Sequence, residues 1–222
     1  MLFRSRVAGQ VFSRVEIPAD VIILGPNHRG VGAAQAIMAS GTWDMPMGQV
    51  EINEVLASKV MAHSSLLKND AVAHNYEHSL EVQVPFIQAL RPDFKLVPIL
   101  LSVSSFQECQ EVGRALAHGI FDYGSEVLIV ASTDMTHYEP HQKAMQKDKM
   151  AIDKILELDP EGLLKTVLGR GISMCGIVPT TVALIACKEM KANSVELAAY
   201  STSGETSGDY DQVVGYAGLI VW

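Results

Sequence analysis

The feature that most constrains this chain is a pair of short apolar runs that each give way abruptly to a polar loop. VIIL at 21–24 is followed by Gly25, Pro26 and the polar stretch Asn27-His28-Arg29-Gly30. EVLIVA at 126–131 is followed by Ser132-Thr133-Asp134-Met135-Thr136-His137-Tyr138. Apolar runs without alternation suit strands buried on both faces of a sheet. In open α/β sheets the chemistry sits just past the C-terminal ends of such strands. That rule singles out His28, Asp134 and His137.

Helical spacing of apolar residues runs over 5–16, 51–67, 106–118 and 141–168, with a break at Asp159-Pro160, and from about 179 to 190. HSLEVQVPFIQAL at 78–90 is also periodic, and Pro85 either kinks it or marks a helix boundary. FKLVPILL at 94–101 reads as a strand whose Pro98 predicts an edge or irregular position. Residues 33–40 read as a further strand, and GTWDMPMG at 41–48 reads as a loop. Two strands at 194–200 and 213–221 suit an antiparallel pair, with the Gly/Ser/Asp-rich SGETSGDYDQ between them as a mobile or ligand-facing loop. Strands alternating with helices predict an α/β fold: a single three-layer α/β/α domain, spanning 1–222, around a mostly parallel or mixed sheet.

Composition narrows the function. At 48% hydrophobic and 19% charged residues the chain can bury a sizeable core. A net charge of −8 without a basic block argues against nucleic acid as the main partner. No apolar run is long enough for a membrane span, and no signal peptide is evident, so a soluble protein is expected. Three cysteines, Cys109, Cys175 and Cys187, do not make a disulfide framework and suit a reducing cytoplasm.

Seven residues could carry chemistry: His28, His74, His78, Glu81, Asp134, His137 and Cys175. His74 and His78 are four apart, but Asn75 stands where an HExxH site needs glutamate. His78 and Glu81 share a face if 78–84 is helical, and either line a pocket or form an ordinary acidic first turn beside Glu77. Asp134 either orients His137, binds metal or caps a helix. Cys175 lies just before a helix start, where unpaired backbone N–H groups favour thiolate; it is then a nucleophile or a soft metal ligand, and otherwise a small buried apolar residue. Imidazole with thiolate suits iron, copper or zinc. His63, His118 and His141 read as surface residues.

GPNHRG, EHSLEVQVPF, STDMTHY, MCGIVP and the terminal VVGYAGLIVW occur in the order found in the Memo family, also called AmmeMemoRadiSam system protein B. The chain resembles that family from Val7 onward. The resemblance implies a fold like that of class III (LigB-type) extradiol dioxygenases, an iron or copper ion, and redox activity. It implies that His28 and Cys175 bind the metal, and that His78, Asp134 and His137 surround it in supporting or acid–base roles. The ligand would be a small molecule or a peptide. A radical SAM protein is a partner by family context, and eukaryotic members are linked to receptor signalling and cell motility. Two departures stand out. The family's first strand, ending in a PHAGY-like motif whose histidine is a third ligand, has no counterpart here, and Arg29 stands where a second histidine is common. The chain is therefore expected to open on the helix that follows that strand. It would then lack one ligand unless His78 or His137 replaces it, and would leave a sheet edge able to pair with another chain in an oligomer.

Overall fold

In the computed structural model, which describes residues 2–222 and side chains from residue 6 onward, the two apolar runs lie side by side. The elements in order are α1 (Leu2–Phe12), β1 (Asp20–Pro26), β2 (Gln35–Ile37), β3 (Thr42–Met45), β4 (Gly48–Glu51), α2 (Glu54–Ala62), β5 (Lys68–Asn69), α3 (Val84–Leu90), β6 (Lys95–Leu101), α4 (Phe106–Tyr123), β7 (Val127–Ala131), β8 (His137–Glu139), α5 (His141–Leu156), α6 (Pro160–Gly169), α7 (Ile177–Glu189), β9 (Val195–Thr202), α8 (Gly204–Ser207) and β10 (Val213–Val221).

The main sheet has five strands in the order β5-β2-β6-β1-β7. β1 pairs in parallel with both β6 and β7, while β2 runs antiparallel to β6, so the sheet is mixed as expected. Every residue of β1 is buried, which explains its unbroken apolar run. Alternate strand residues feed two cores. Ile22, Leu24, Val97 and Ile99 pack under α2, α4 and α7, and Val21, Ile23, Leu96 and Leu100 pack against Phe12 of α1 and Val84 and Ile87 of α3. A second, three-stranded antiparallel sheet, β8-β10-β9, contains the expected β9/β10 pair. Its core is shared with α5, α6 and Leu184 of α7. Helix α7 thus serves this core and the one under α2 and α4, and it has no polar face before its exposed C-terminal Lys188 and Glu189 because the rest is packed on all sides.

Three expectations are corrected. Strand β6 is interior rather than an edge, despite Pro98. Opposite Pro98 lies Met38, just past the end of three-residue β2, which donates its N–H to the Pro98 carbonyl at 3.2 Å. The proline nitrogen faces the same side, so the bond it cannot return falls on Met38, where the β2 ladder ends, and the pairing with β1 is untouched. Residues 41–48 are not a plain loop: β3 and β4 form a hairpin across Pro46 and Met47. Helix α2 begins at Glu54 rather than near 51, because Asn53 caps it by accepting the Leu56 N–H at 2.9 Å. Of the two readings of Pro85, the helix boundary is the one the structure bears out, since α3 begins at Val84.

Candidate functional site

Three chain segments meet beyond the C-terminal ends of β1 and β7. Past β1, the Asn27 side chain donates to the Val31 carbonyl at 2.9 Å and closes the turn that carries His28. The segment 77–80 lies directly against the end of β1, which requires Gly25: a β-carbon there would stand 2.6 Å from both Leu80 and Ser79. Past β7, Ser132 donates its N–H to the Leu24 carbonyl at 2.8 Å and its hydroxyl to the Ser79 carbonyl at 2.7 Å. Gln83 donates to the same hydroxyl at 2.9 Å. The strand ends are thus stitched together by hydrogen bonds between loops distant in sequence.

A third stitch brings in the start of α7. Gly176 N–H donates to the Thr133 hydroxyl at 2.9 Å, and the Asp134 N–H donates to Cys175 Sγ at 3.2 Å. Beyond them, His137 donates its backbone N–H to the Ser173 hydroxyl at 2.8 Å, and its Nδ1 lies 2.8 Å from the Ser173 carbonyl. A carbonyl only accepts, so Nδ1 carries the proton and Nε2 faces Asp134, whose Oδ2 is 3.9 Å away.

These segments enclose a cleft of about 240 Å³ lined by all five expected site residues, His28, His78, Asp134, His137 and Cys175, together with Ser79, Ser132, Thr133, Tyr138, Val214 and Tyr216. A larger hollow of about 470 Å³ lies between residues 12–17 and 90–93, but no histidine or cysteine lines it.

The donor atoms fall into two groups. Asp134, His137 and Cys175 each offer one ligand atom, and the three lie within 4.8 Å of one another. His28, Glu77 and His78 form a second group under the same distance. The His28 and His78 rings stack with centroids 5.4 Å apart and planes 13° apart.

Three sequence readings are corrected. Residues 78–83 are not helical, with turns over 79–83, so Glu81 is exposed and does not line the cleft; its neighbour Glu77 is the buried carboxylate instead. His74 is also absent from the cleft, bonding the Asp70 carbonyl and packing edge-on to Trp43. Cys175 is not pushed toward thiolate: burial raises its thiol above the usual range, outweighing the Asp134 and Gly176 amide groups.

Glu77 carried no signal in the sequence, because its partner His28 is 49 residues away. Burial pushes its carboxyl up, but the His28 ring and the backbone N–H groups of Ser79 and His28 outweigh that and hold it below the usual carboxylate range. Ser173 and the buried Asp148, which accepts the Thr136 N–H at 2.8 Å, were likewise silent in the sequence.

The fold has a solved counterpart. The structure of uncharacterized protein JW3007 from Escherichia coli K12 matches with a TM-score of 0.64 at 15% identity, covering 96% of this chain and 91% of that one. Among curated relatives, a MEMO1 family protein of Methanopyrus kandleri is 41% identical over 212 residues, 95% of this chain and 75% of its own length. One from Pyrobaculum aerophilum is 44% identical over 205 residues, 92% of this chain and 73% of the relative. One from Aquifex aeolicus is 38% identical over 220 residues, 99% of this chain and 81% of the relative. The Memo-like protein family model matches residues 1–220, and with relatives at this identity over most of its length the chain belongs to the Memo-like family.

Proposed function

We propose that the cleft is a mononuclear non-haem metal centre, for iron or copper, serving dioxygenase-like redox chemistry on a small molecule. The observation that carries this is the thiol, imidazole and carboxylate of Cys175, His137 and Asp134 within 4.8 Å of one another. Mixed sulfur, nitrogen and oxygen donors suit a transition metal rather than magnesium or calcium. In this reading Cys175 and His28 bind from the α7 and β1 sides, and His137 supplies a third donor. Bound there, iron or copper would supply electron-transfer and Lewis-acid chemistry. Cys175 would give up its proton on binding. The Asp134 amide group would hold its sulfur in place. His78, exposed at the lip, would pass protons between the cleft and water.

The test is metal content. Anaerobically purified protein is loaded with iron(II) or copper(I), desalted and measured by elemental mass spectrometry. About one metal per chain is expected, lost in Cys175→Ala and His28→Ala without unfolding. Retention in both variants, or none in the wild type, overturns the reading.

The separation of His28 from the Cys175 group into two clusters favours a second reading, a non-catalytic module that binds a peptide or small ligand in the same cleft. Asp134, His137 and the walls Tyr138 and Tyr216 would make its contacts. The segment 203–212, expected to face a ligand, does not line the cleft; part of it forms α8. A wild-type protein without metal that binds one ligand through Asp134 would establish this reading instead.

A further inference from the structure

We infer that Glu77 is a positioning residue that sets the tautomer of His28, and so presents the His28 Nε2 lone pair to the cleft. The Glu77 side chain is 1% exposed. Its Oε1 lies 3.0 Å from His28 Nδ1, 3.0 Å from His78 N and 2.9 Å from Ser79 N, and its Oε2 lies 2.8 Å from His28 N. An ionised carboxylate accepts and does not donate, so the ring nitrogen facing it must carry the proton. Neutral His28 is thereby held as the Nδ1–H form. Its Nε2, on the opposite, partly exposed side of the ring, keeps the lone pair that a metal or a proton would take.

The same contacts work against Glu77 Oε1 as a ligand atom, although the distances to His28 and His78 would allow it. Oε1, the oxygen that faces both imidazoles, already takes three N–H contacts against two lone pairs, while Oε2 takes one. A cation at Glu77 would have to displace backbone donors from a buried group.

His78 is the built-in control. Its ring stacks on that of His28, yet its Nδ1 is 3.6 Å from Glu77 Oε1, too long for a hydrogen bond. Two parallel imidazoles thus share one carboxylate, and only one is fixed by it.

The tautomer is independent of any metal; the consequence for metal affinity rests on the reading proposed above. The experiment separates the two. Long-range nitrogen–proton correlation spectra of 15N-labelled, metal-free protein are recorded at about pH 8.5, roughly two units above the ordinary imidazole value. His28 is expected as Nδ1–H, and His78 mainly as the Nε2–H form that free histidine prefers. Glu77→Ala removes the acceptor, whereas a glutamine oxygen in the Oε1 place would still take the same three N–H groups. Glu77→Ala should release His28 toward Nε2–H and weaken copper(I) or iron(II) retention by about 10–100-fold. Wild-type His28 as Nε2–H, or a tautomer unchanged in Glu77→Ala, overturns the inference. Where Glu77→Ala fails to fold, the wild-type contrast between His28 and His78 decides. An Nδ1–H His28 in protein that retains no metal supports the Glu77 assignment and overturns the metal reading.

Discussion

The backbone N–H of Asp134 points at the sulfur of Cys175 across 3.2 Å, tying the end of β7 to the start of α7. Two segments 41 residues apart are joined at the atom most suited to bind a soft metal. The bond favours thiolate, but burial, the larger effect, raises the thiol.

Alkylation rates test that balance. In metal-free protein at neutral pH, Cys175 should react with iodoacetamide more slowly than an unperturbed thiol, because little thiolate is present. Cys109 and Cys187, pushed by burial to about 11, should be slower still. Peptide mass spectrometry over a time course reads all three. Immediate modification of Cys175 at pH 7 would mean that the amide groups win over burial.

Gly176→Ala should destabilise the protein and disturb the site together. A β-carbon there would lie 2.4 Å from Thr133 Cβ and 2.5 Å from the Ser132 carbonyl, and that backbone cannot yield without moving the β7 end. Overpacking of this kind costs about 1–3 kcal/mol, readable as a lowered denaturant midpoint. An unchanged midpoint would show that the turn repacks freely.

Asp148→Ala should cost more than a surface change on the same helix. Asp148 is fully buried and accepts the Thr136 N–H at 2.8 Å and the Tyr200 hydroxyl at 2.7 Å. Removing it leaves two donors unpaired, at about 1–3 kcal/mol each. Asp153→Ala, which breaks an exposed pair with Lys149, should change stability by less than ~1 kcal/mol. Equal effects in urea titrations would contradict the role of Asp148 in anchoring the loop before His137.

Asp70 links acid stability to the loop behind His28. It accepts N–H groups from Ala33 at 2.8 Å and Val72 at 2.9 Å. The Ala33 amide, foremost, holds its carboxyl below the usual range against desolvation. A carboxyl lowered on folding stabilises the folded state above its unfolded pKa, and this contribution fades as pH falls through the folded value. Asp70→Asn should therefore flatten the loss of stability on the acid side while lowering stability near neutrality. Midpoints measured between about pH 3 and 7 check it; parallel curves for the two proteins would refute it.

The legible parts of this chain were those decided locally. β1 and β7 announced themselves as apolar runs because burial on both faces removes the need for alternation. His28, Asp134, His137 and Cys175 stood out because they follow strand ends or precede a helix, and His78 through the EHSLEVQVPF motif; the structure gathers all five around one cleft. The β3/β4 hairpin was hidden behind Gly41, Pro46 and Gly48, whose types suit a loop as well as a turn. Pro98 misled because its tolerance depends on where β2 stops, which lies some sixty residues earlier in the chain.

By itself, then, the sequence determined the alternation of strands and helices, the polar chemistry at the strand ends, and membership of the Memo-like family. Propensity, apolar periodicity and turn residues act over a few positions, so a linear reading reaches them. Only the tertiary structure decided that Glu77 rather than Glu81 faces His28, that Cys175 joins Asp134 and His137, and that burial outweighs the helix start at the Cys175 thiol. Desolvation and hydrogen bonding depend on which distant atoms exclude water and which donate, and neither is defined until the chain has closed on itself.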